Sequence, residues 1–89
     1  MSDIPKKIDG KDVDKEICRV GMIAELDAVN LYEQMASTAK RKEIKKILLD
    51  IAKEEKTHKG EFEALLATMD KELEIENEKG KREVEEKLQ

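Results

Sequence analysis

At 89 residues the chain is one small domain at most, and 45% of it is charged while aromatic residues make up 2%. One Phe, one Tyr and no Trp leave the apolar surface to Leu, Ile, Ala, Met and Val, which is an all-helical composition. The net charge of −4 comes from interspersed signs, 18 basic against 22 acidic. No basic stripe with aromatics is present to follow a nucleic-acid backbone, and no apolar run approaches the roughly 18–20 residues of a membrane span.

Residues 1–11, MSDIPKKIDGK, hold the only Pro and little apolar content, and read as a flexible N-terminal arm. No signal-peptide pattern precedes residue 12. Asp12 is a suitable N-cap for a helix beginning at residue 13. Residues 13–37 have helical spacing: Cys18, Met22, Glu25, Val29, Tyr32 and Ala36 share one stripe, with Ile17, Gly21, Ala28 and Met35 beside it. Cys18 is the single cysteine, which rules out an internal disulfide and suits a reducing cytoplasm.

Residues 42–69 repeat the pattern, with Ile44, Leu48, Ile51, Glu55, His58, Phe62, Leu65 and Met69 at steps of three or four. The join, ASTAKRK, has no Gly or Pro, so one continuous helix must be weighed. Phase argues against it. At about 100° per residue, the thirty residues between Glu25 and Glu55 would turn one stripe about 120° from the other. A turn near residues 37–41 lets the stripes face each other. Residues 70–89 read as a third, weaker helix, capped by Asp70, interrupted by Gly80 and edged by Leu73, Val84 and Leu88.

Glu55 and His58 are the only ionisable members of the second stripe, and Glu25 is the only charged member of the first. An unpaired carboxylate on a buried face costs several kcal/mol unless something compensates it. In an antiparallel hairpin turning near residue 40, positions i and about 80 − i are level, so Glu25 meets Glu55, with His58 one turn away. One hairpin thus gathers two carboxylates and an imidazole at mid-height. Di-iron carboxylate bundles take one Glu from each of two helices and Glu-x-x-His from each of two others. Two copies of this hairpin supply that set, and the bundle core would be the interface between them. A hairpin of this size encloses little core alone, which also points to self-association.

The stretches carrying these residues, IAELDAVNLYEQMA with its Glu-x6-Tyr (Glu25, Tyr32) and ILLDIAKEEKTHKGEF with its Glu-x-x-His (Glu55, His58), resemble the encapsulated ferritins of the ferritin-like superfamily, and archaeal members above all. The resemblance covers roughly residues 12–70. It implies an all-α fold: an antiparallel two-helix hairpin over 12–70 with a short C-terminal helix over 71–89, dimerising into a ferritin-like four-helix bundle and a decameric ring. It implies a ferroxidase that oxidises Fe(II) with oxygen at a di-iron site between two subunits, in the cytoplasm inside an encapsulin nanocompartment, with the encapsulin shell protein as partner. Zinc, manganese or calcium are ions that could stand in for iron.

By the same resemblance Glu25, Glu55 and His58 are the metal ligands and catalytic residues. Tyr32 joins the catalytic set as a phenol that orients a carboxylate. Some members carry acids around the first ligand that admit iron; those positions here are Ala24 and Asp27. Many end in an apolar tail that docks to the shell, whereas this sequence ends KREVEEKLQ, and some archaeal members are fused to the shell protein.

Blander readings stand beside these. A lone His on an apolar stripe is ordinarily structural, Glu25 could snorkel or pair with Lys15, and Tyr32 is a natural core aromatic. Asp27, Glu33, Glu54 and Glu61 read as solvated flanks of the stripes. Two other functions compete: a helical oligomerisation module without catalysis, and a rubrerythrin-like peroxidase. The second lacks rubredoxin-type cysteine pairs to feed it electrons and an additional core carboxylate.

Overall fold

The computed structural model describes residues 12–89. Three helices follow in order: α1 (Val13–Thr38), α2 (Lys42–Ala67) and α3 (Lys71–Lys87). Among the described residues there is no strand, and no helix is long and apolar enough to cross a membrane. The flexible arm expected over 1–11 lies outside the described residues.

The turn expected near 37–41 is there, and it needs neither Gly nor Pro. Ser37 and Thr38 fold their hydroxyls back onto the last turn, donating to the carbonyls of Gln34 and Met35 at 2.7 and 3.0 Å, and the Met35 carbonyl also accepts the Ala39 N–H at 3.0 Å. Ala39 and Arg41 then adopt extended backbone angles, which any residue can take. The chain reverses within residues 39–41, and α1 and α2, each about 39 Å long, pack antiparallel. Asp12 occupies the N-cap position of α1, but its side chain makes no capping bond. Its backbone is already in the helical region, where the carboxylate cannot reach back to the free N–H groups; it lies 4.0 Å from Lys15 instead.

The seam between α1 and α2 buries Cys18, Val29 and Ala36 against Ala52 and Leu66. The α1 stripe was legible in its spacing, but the α2 seam is rotated from the expected one. Ala52 and Leu66 form its centre, while Ile44, His58 and Leu65 stay exposed, Leu65 at 55%. The apolar arc of α2 is wider than one partner helix covers, and α1 takes only one side of it. Antiparallel helices reverse the sense of rotation. The uncovered flanks carrying Ile17, Leu31 and Met35 on α1 and Ile47, His58 and Leu65 on α2 therefore open on the same side of the hairpin. The other side is tied by Lys56 to Glu33, 3.1 Å across the helices.

Asp70 caps α3 by accepting the Leu73 N–H at 3.0 Å. Arg19 of α1 donates to its other oxygen at 3.3 Å, linking the cap to the hairpin. No α3 residue is buried. The fold measures 47 × 43 × 16 Å with a radius of gyration of 16.4 Å, against about 12 Å for a compact chain of this length. It is a plate one helix thick, with an apolar face that a packed domain would cover with a second layer.

Candidate metal centre

Three side chains from two helices meet at mid-height of the uncovered face. Glu25 comes from α1 and Glu55 and His58 from α2. Helical side chains lean toward the N-terminus of their own helix. Glu25 therefore leans away from the 39–41 turn and His58 leans toward it, which brings them closer than register alone suggests. His58 Nδ1 lies 3.4 Å from Glu25 Oε2 and 3.7 Å from Glu55 Oε2. One donor atom from each residue lies within 4.8 Å of the others. Donors bound to a common ion at about 2.0–2.2 Å stand about 3 Å apart when adjacent, so small rotamer adjustments bring these three onto one cation.

The electrostatics are those of a site lacking positive charge. Glu25 Oε2 is inaccessible to solvent and, among the described residues, accepts no well-formed hydrogen bond, His58 Nδ1 lying beside it at 3.4 Å, a condition that buried polar atoms seldom tolerate. The Glu25 carboxyl pKa is raised, first because it lies close enough to Glu55 to share a proton, then by partial desolvation and by the Glu55 charge. His58 pulls it back by less. Desolvation depresses the His58 pKa, but the fields of Glu25, Glu55 and Glu61 and the hydrogen-bonding proximity of Glu25 outweigh it and leave it raised. A carboxyl and an imidazole that both favour holding a proton, with a second acid beside them, are a donor set that a divalent cation fits.

The three groups were expected to be buried, and one chain does not bury them. Glu25 and Glu55 are 20% exposed and His58 is 48% exposed, because His58 lies on the flank of α2 that α1 leaves open. Tyr32, two turns from Glu25 toward the loop, is half-buried on the α1 stripe. Among the described residues its hydroxyl is not hydrogen-bonded to any of the three. Glu61, read from sequence as a solvated flank, lines a hollow with Glu25, His58, Phe62 and Leu65. Its signal was the step of three from His58, which places both on the open flank.

Two antiparallel helices that turn two carboxylates and a histidine onto an uncovered apolar face supply half of the ligand set that ferritin-like bundles enclose within four helices. A model of the rubrerythrin family matches residues 16–89. A ferritin-like-encapsulin shell fusion protein of Pyrococcus furiosus is 55% identical over 71 residues, 80% of this chain and 21% of that protein. The chain thus spans about a fifth of the length of that relative. The crystal structure of the encapsulated ferritin domain from Pyrococcus furiosus superposes with a TM-score of 0.84 at 50% identity, covering 92% of this chain and 84% of that one. The chain belongs to the encapsulated ferritins, ferritin-like proteins of the rubrerythrin family.

Proposed function

We propose that the chain is a ferroxidase whose substrate site is completed by pairing two copies. The observation that carries this is the unpartnered Glu25 Oε2, 3.4 Å from His58 Nδ1 on an uncovered apolar face. One chain contributes three donors. Two copies placed face to face contribute six, enough to hold two Fe(II) ions with positions left for water or oxygen. The hairpin over 12–70 is the ferritin-like unit and residues 71–89 are an appended helix. The paired hairpins form the four-helix bundle, and bundles associate further into a ring.

Each residue has a defined task. Glu25 releases its proton on binding iron and supplies a carboxylate oxygen. Glu55 supplies the second carboxylate, and one of the two bridges the metal pair. His58 binds as the neutral imidazole. Tyr32 is a positioning residue that acts across the pair, where its hydroxyl orients a carboxylate. Iron is the substrate: each Fe(II) gives one electron to oxygen, and the carboxylates favour the ferric product over the ferrous one. The second hairpin excludes water and strengthens these interactions. The names of the Pyrococcus relatives support a place inside an encapsulin shell, fused or docked to it.

Adding Fe(II) in air and following near-ultraviolet absorbance tests this. The chain should accelerate oxidation well above background, and Glu25→Ala, Glu55→Ala and His58→Ala should each abolish the acceleration. Background rates in all four proteins would reduce the chain to an oligomerisation module. The rubrerythrin match makes a peroxidase the second reading. In this chain the single cysteine is buried Cys18, so it holds no cysteine pair to deliver electrons. Faster Fe(II) oxidation by hydrogen peroxide than by oxygen would favour that reading.

A further inference from the structure

We propose that Gly21 is a positioning residue of the metal centre, a notch that seats the Phe62 ring as the apolar end wall of the site; this rests on the metal-site reading above. Gly21 stands inside α1, where glycine weakens a helix relative to alanine. Its backbone angle is not one that requires glycine. The need is for space. A Cβ at Gly21 would lie 2.8 Å from Cδ1 and Cε1 of Phe62 and 2.9 Å from Cδ2, so the ring lies flat over the glycine. At Gly60 and Gly80, also within helices, an added Cβ would meet nothing within 4 Å.

The location gives this contact its role. Gly21 is one turn before Glu25, and Phe62 is one turn after His58. Glu25 leans toward the Gly21 layer and Phe62 leans toward His58. The ring lines the same hollow as Glu25 and His58. It thereby closes the end of the donor set away from the 39–41 turn with a surface that offers no hydrogen bond. The Gly21 contact fixes the height of that wall. A methyl group at position 21 displaces the ring, a rigid body held at its own Cβ, toward the Glu25–His58 pair or out into the hollow. Either movement changes the space in which the two ligands converge.

Cobalt(II) is a suitable probe, because its visible bands report coordination geometry separately from affinity. Wild type, Gly21→Ala, Phe62→Leu, the double variant and a Glu25→Ala control are titrated with Co(II), and thermal unfolding of each is recorded. Gly21→Ala should weaken Co(II) by about 10- to 100-fold, the range for residues that orient metal ligands, and shift its bands. Leucine at position 62 in the same chain should recover most of that loss, since the branched side chain yields where the ring cannot. A glycine that served packing alone would lower the unfolding temperature and leave the bands unmoved; that result overturns the proposal. So does a Gly21→Ala defect that Phe62→Leu does not relieve. If Gly21→Ala fails to fold, Phe62→Ala with Gly21 intact decides, because it removes the wall altogether: weakened Co(II) with shifted bands supports the wall, and wild-type binding overturns it. Wild type that ignores Co(II), or Glu25→Ala that binds it equally well, overturns the metal-site reading and this inference with it. Normal binding by both wild type and Gly21→Ala, lost in Glu25→Ala, overturns only the notch.

Discussion

Replacing Glu25 with Gln keeps the shape of the side chain and removes its charge. In the metal-free chain the Glu25 and Glu55 carboxylates have oxygens within 4.8 Å. Two unit charges at that distance repel by roughly 1 kcal/mol at the dielectric of water and roughly 3.5 kcal/mol at an effective dielectric of 20. With both side chains one-fifth exposed, the repulsion falls between these limits. Glu25→Gln should stabilise the metal-free chain by about 1–3 kcal/mol at pH 8, and each kcal/mol raises Tm by about 4–8 °C in a domain of this size. The pH dependence has a fixed sign. Glu25 has a pKa raised from 4.5, first by Glu55 and then by desolvation. The folded chain holds this proton where the unfolded chain has lost it, so the associated stability is full below about 4.5 and is lost as pH rises through the raised value. Gln mimics the protonated carboxyl. Its advantage should be absent at low pH, grow as pH rises through that value, and then level off.

Metal reverses the order. Ions bound to the folded site stabilise wild type by mass action, and the variant has lost a ligand. Thermal melts of both proteins with and without Zn(II), from pH 4 to 8, should therefore cross: the variant more stable without metal, wild type more stable with it. A variant less stable without metal, or an equal gain in both on adding Zn(II), would refute the reasoning that the acids are held together for a cation.

Metal affinity should rise with pH and level off above the raised pKa of His58, because binding needs the neutral imidazole and the ionised Glu25; calorimetry in buffers of different ionisation heat should show protons released below that plateau. Asp70→Ala should cost about 0.5–2 kcal/mol through the lost cap and the lost Arg19 link. Amide exchange should quicken in the first turn of α3 and stay unchanged around Glu25. Leu66→Ala, at a side chain 2% exposed in the seam, should cost about 2–5 kcal/mol in chemical denaturation. Leu65→Asp, one residue away and 55% exposed, should leave the hairpin helical by circular dichroism and reduce its mass in solution to that of one chain.

The hairpin and the three-residue cluster were legible because they rest on spacing. Steps of three and four gave two stripes, the phase between Glu25 and Glu55 required a turn, and a turn near residue 40 brought the acids level. Which part of the α2 stripe faces α1 was not legible. Ile51 and Ala52, or Leu65 and Leu66, are neighbours on an arc wide enough for two partners, and hydrophobicity does not say which partner belongs to the same chain. That choice placed Ala52 and Leu66 in the seam and left His58 half open. Asp12 shows the limit of residue preference: its type suits an N-cap, but the backbone had entered the helix before its carboxylate could act. Gly21 read only as a residue beside the first apolar stripe, because its value depends on a ring forty-one residues away in sequence.

Native mass spectrometry of the protein titrated with Fe(II) under anaerobic conditions bears most directly on the shared site. Pairs of chains, or even multiples of them, should take up two irons per pair, with no iron on single chains, and His58→Ala should abolish both uptake and metal-driven association. Iron bound one-to-one by single chains, or an oligomer that forms identically with no iron bound, would contradict the account.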